Sequence, residues 1–124
     1  MTRLRPELLQ WYGLFGAALA WAGQHLVGFG AAYAQCTAAS RHWGIDIVTW
    51  MIVMTVSGVL FATLAEAAAV TVLLETRGVE YDGAPPWGRR HFFAIAAALG
   101  NVLFLVGIIL NAVGALAFTD CRQV

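Results

Sequence analysis

The chain has 124 residues, 60% of them hydrophobic and only 11% charged, with a formal net charge of zero at pH 7. An ordinary soluble domain is roughly 25% charged, so this composition argues against a water-exposed globule, and the charge balance argues against a nucleic-acid partner. The length confines the chain to one domain, 1–124, in which so few elements cannot enclose the pocket of an enzyme.

Arg3 and Arg5 precede the first apolar run, 8–34. An apolar stretch of about 18 or more residues is long enough to cross a bilayer as a helix. The run also exceeds the core of a secretory signal, about 7–15 residues. It is therefore expected to persist as a spanning helix, despite Ala32-Tyr33-Ala34 just before Cys36. The second run, 47–74, is preceded by Asp46, a residue type suited to capping the free N–H groups of a helix start. The loop after it contains Gly83, Pro85, Pro86 and Gly88, which end the second helix and delay the third. The third run is 92–118. The expected fold is an all-α integral membrane protein with three transmembrane helices.

Orientation follows from arginine. With the N-terminus inside, the inner side holds Arg3, Arg5, Arg77, Arg89 and Arg90, and the outer side only Arg41 and Arg122. That asymmetry is the positive-inside pattern of short loops, so the expected topology is N-in, C-out in a bacterial cytoplasmic membrane. Trp11, Tyr12 and Trp87 then fall at the inner interface and Tyr33, Trp43 and Trp50 at the outer one, where amphipathic rings prefer to sit. Trp21 falls inside the first span, where it is expected to pack against a neighbouring helix.

The same topology puts Cys36 and Cys121 on the outer side, the disulfide-permitting one in a bacterium. The two are expected to form a disulfide, which requires the first and third helices to be neighbours; the alternatives are two free thiols or ligands to a partner's cofactor. Glu66 lies about 12 Å inside the inner boundary, where a carboxylate is costly and belongs against protein. Asn101 lies at a similar depth and is its expected hydrogen-bond partner. The bland role for Glu66 is a neutral acid in a helix contact; the functional one is a proton relay. His25, in the outer half of the first helix, has neither His42 nor His91 at its own depth, so a bis-histidine haem within the chain is disfavoured. It is expected to be an interior histidine near Gln24 and Ser57, with a single axial ligation of haem or chlorophyll as the alternative. No cofactor or metal site and no catalytic constellation is read from the chain.

Gly100, Gly107 and Gly114 recur every seven residues, with Asn111 on the same stripe, and the first helix carries Gly13, Gly16, Ala17, Ala20 and Gly23. Small residues allow helix backbones to approach closely in lipid. Three helices do not need all of this small surface for each other, and the excess is read as a docking face for a larger membrane subunit.

Two segments carry a resemblance. One is Trp21-Ala22-Gly23-Gln24-His25-Leu26-Val27-Gly28, leading to Cys36. The other is Arg90-His91-Phe92-Phe93, running through Leu103-Phe104 and Ile108-Ile109 to Cys121. Together they resemble the small multi-span proteins encoded beside bacterial haem–copper cytochrome c oxidase subunits, in which a W-x-x-Q helix and the last helix each end at an outer cysteine. The resemblance covers the first and third helices and leaves out His25 and Glu66. It implies an accessory or assembly role in a respiratory terminal oxidase, without redox chemistry of its own. The alternatives are a small proton-conducting or transport element using Glu66 and a pigment- or haem-binding subunit using His25.

Overall fold

A computed structural model describes residues 5–36, 46–80 and 82–117. The described chain is all-α: α1 is Pro6–Cys36, α2 is Ile47–Thr76 and α3 is Trp87–Ala117. Each helix is somewhat longer than its apolar run. Pro6 opens α1 at a position where a missing N–H costs nothing. Trp87 starts α3 right after the Pro85–Pro86 pair, five positions before the apolar run.

All three helices touch one another. Gln24 of α1 reaches Ile108 of α3 and Asn101 of α3 reaches Gly13 of α1, at sequence offsets of 84 and 88. α1 and α3 therefore run parallel, and α2 runs antiparallel to both. The buried positions of α2 include Met51, Gly58, Ala62, Ala65, Ala69, Val72 and Thr76. Their spacing of three, four or seven residues is the pattern of left-handed helix crossings near about +20°.

What fills this seam is small. Ala17, Ala62, Ala65 and Ile108 form the centre, with Ala20, Trp21, Val59, Phe104 and Leu105 packed around it. The large apolar side chains point outward instead: Leu26 is 75% exposed, Phe29 71% and Leu103 73%. Small-inside, large-outside is the arrangement for helices packing in lipid, where close backbone approach replaces the hydrophobic drive. α2 and α3 are long and apolar enough to cross a membrane. α1 is as long but less apolar, because Gln24 and His25 interrupt it and Gly13, Gly16, Gly23, Gly28 and Gly30 contribute little hydrophobic surface.

Trp21 packs across the α1–α3 seam as expected. Its indole lies over Gly107, with Nε1 3.2 Å from where a Cβ would be, and its ring is 5.8 Å from that of Phe104. Tyr12 departs from the interfacial reading. Its hydroxyl donates to the Phe61 carbonyl at 3.0 Å, half-way along α2, so its polar end is used between helices.

Asp46 caps α2 as expected, accepting from the amides of Val48 and Thr49 and from the Thr49 hydroxyl at 2.6 Å. The Thr49 hydroxyl first, then the two amides, hold the Asp46 carboxyl below its usual value of 3.8. A carboxyl whose pKa is depressed by folding stabilises the fold above its unfolded pKa and loses that contribution as pH falls through the folded one. The first turn of α2 is therefore expected to exchange its amide hydrogens faster below the normal carboxylate range. Asp46→Asn, which keeps a capping oxygen, should abolish that pH dependence; an equal acid response in both proteins would show that the cap is not its source.

Candidate functional site

The interior polar groups stand in three layers along the bundle. In the layer nearest the α1 C-terminus, Gln24 is 1% exposed. Its Nε2 donates to Thr55 Oγ1 at 3.1 Å and to the Ile108 carbonyl at 3.4 Å, tying α1 to both other helices. Thr55 in turn donates to the Met51 carbonyl at 2.7 Å. Because Thr55 has spent its proton and a carbonyl has none, both partners are acceptors and the amide orientation is fixed. Gln24 Oε1 is then left buried with no protein donor among the described residues.

In the middle layer, the buried Asn101 donates from Nδ2 to the Gly13 carbonyl at 2.9 Å. This corrects the expected Asn101–Glu66 bond. At Gly13 the α1 backbone lies so close to α2 and α3 that its carbonyl is the nearer acceptor. Glu66 is half-buried on α2, and its Oε2 is buried with no hydrogen-bond partner among the described residues. In the third layer, Thr76 Oγ1 and His91 Nδ1 meet at 3.0 Å, both buried, where α2 ends and α3 begins. Interhelical side-chain hydrogen bonds of this kind are worth about 0.6–2 kcal/mol each in membrane bundles.

His25 is not interior. It is exposed, its Nδ1 lies 3.1 Å from the Trp21 carbonyl one turn back, and its ring leans on the Trp21 indole at 4.4 Å between centroids. The buried residue is its neighbour Gln24. The sequence signal was present: Gly13, Ala17, Ala20, Gln24 and Gly28 follow one another at helical spacing on one face, and His25 lies about 100° away from it. Thr76 and His91 were also missed. Their signal is weaker, two polar residues flanking a loop.

The expected glycine stripe on α3 divides. Gly107 packs against Trp21, whereas a Cβ added at Gly100 or Gly114 would meet nothing within 4 Å among the described residues. Asn111 is half-buried. The buried seam of α3 is instead His91, Ala94, Ala97, Asn101, Ile108 and Ala112, one residue round the helix from the glycines. On α1 the expected set divides too: a Cβ at Gly13 would lie 2.9 Å from the Ala69 nitrogen and one at Gly16 2.8 Å from the Ala65 Cβ, whereas one at Gly23 would meet nothing within 4 Å among the described residues.

Cys36 closes α1 and is not a free thiol; Cys121, its expected partner, lies outside the described residues. Among the described residues, no group of three or more His, Cys, Asp and Glu side chains could hold a metal ion. A cleft of about 440 Å³ opens between α1 and α2, lined by residues that include Trp11, Phe15, Gly23, Gln24, Ser57 and Phe61. Comparison with protein-family models, curated proteins and solved structures finds no match for this chain.

Proposed function

We propose that this chain is a non-catalytic accessory or assembly subunit that sits laterally on a larger membrane complex. In this reading all three helices cross the bilayer, N-terminus in and C-terminus out, in a bacterial cytoplasmic membrane. The observation that carries it is the split of the α3 stripe. Gly100 and Gly114 flank a packed Gly107 but meet no neighbour among the described residues, so small surface suited to close helix packing is left over after the described bundle has formed. The interior hydrogen bonds of Gln24, Asn101 and Thr76 all join helix to helix, as a structural element would use them. The resemblance of the first and third helices supports a haem–copper terminal oxidase as the complex.

The test separates docking from folding. Gly114→Leu and Gly100→Leu place side chains where the chain itself has room, so the isolated bundle should keep its helicity and melting behaviour. The same variants should no longer co-purify with the larger subunits in mild detergent, while the partner's cofactor spectra stay unchanged. Co-purification at wild-type levels would remove the docking role from this face. Gly107→Leu is a poorer probe, because it collides with Trp21 inside the bundle.

A second reading, a pigment- or haem-binding helix, is favoured by one feature of His25. Its Nδ1 faces a carbonyl, which can only accept, so in the neutral ring the proton is on Nδ1 and the lone pair is on Nε2. That is how protein groups orient a histidine that ligates metal. Visible absorbance in the isolated chain, lost in His25→Ala, would select this reading over the subunit.

A further inference from the structure

We draw no further inference here: the strongest candidate, the apolar cleft of about 440 Å³ between α1 and α2 lined by residues that include Trp11, Phe15 and Phe61, carries nothing because nothing in the structure shows what covers it.

Discussion

Replacing Gly13 with leucine is expected to disrupt the bundle more than any other single substitution on α1. At this position the α1 and α2 backbones are in direct contact, with a built Cβ 2.9 Å from the Ala69 nitrogen, 3.1 Å from its Cα and 3.3 Å from its Cβ. A flexible side chain could swing aside, but helical backbone cannot. Overpacking of a tight core costs about 1–3 kcal/mol, sometimes more, and here the helices must separate to relieve it. Separation also lengthens the Asn101–Gly13 hydrogen bond at the same level, which adds to the loss. Gly13→Ala, one carbon, already enters the forbidden range and should show a smaller loss in the same direction. Thermal unfolding in detergent, followed by circular dichroism, gives the order wild type, Gly13→Ala, Gly13→Leu; a Gly13→Leu protein as stable as wild type would mean that this close approach does not exist.

The second large effect is expected from the cysteines. Contacting positions of α1 and α3 are offset by 84 and 88 residues, and Cys36 and Cys121 are offset by 85. The sequence offset of the two cysteines falls within the range of these contacts, so the expectation is that they pair. A disulfide closing a loop of this size stabilises by about 4–5 kcal/mol in the chain-entropy account. Intact mass without reductant should be lower than the fully reduced mass by two hydrogens. Reduction, or Cys36→Ser, should lower the unfolding midpoint of the purified chain. Free thiols on both residues in protein taken from an oxidising compartment would refute the pairing.

Much of the architecture was legible because apolar run length and turn residues are local properties. The three runs, the Asp46 cap and the glycine- and proline-bearing loop each depend on a short stretch of sequence and are found where expected. Trp21 was also legible, since a large ring in mid-helix needs a neighbour. The errors concern which side of a helix faces in. Gln24 and His25 are adjacent and both polar, and depth alone does not separate them; the phase of Gly13, Ala17, Ala20 and Gly28 does. Asn101 was matched to Glu66 by depth, but a backbone carbonyl exposed beside a glycine is an acceptor that no side-chain pattern announces. The heptad of Gly100, Gly107 and Gly114 looks like one surface in the sequence. Only the partner at Gly107, an indole from another helix, distinguishes the packed glycine from the two open ones.

α1 is the least apolar of the three helices, so a three-span bundle stands or falls on whether α1 crosses the membrane. Glu7, exposed in the first turn of α1, and Cys36 at its far end are at opposite ends of one helix, and their accessibility decides the matter. In cells expressing Glu7→Cys, treated with reductant, a membrane-impermeant thiol reagent is expected to label Cys36 from outside and to reach the cysteine at position 7 only after permeabilisation. Labelling of both positions from the same side of the membrane would contradict the three-span bundle.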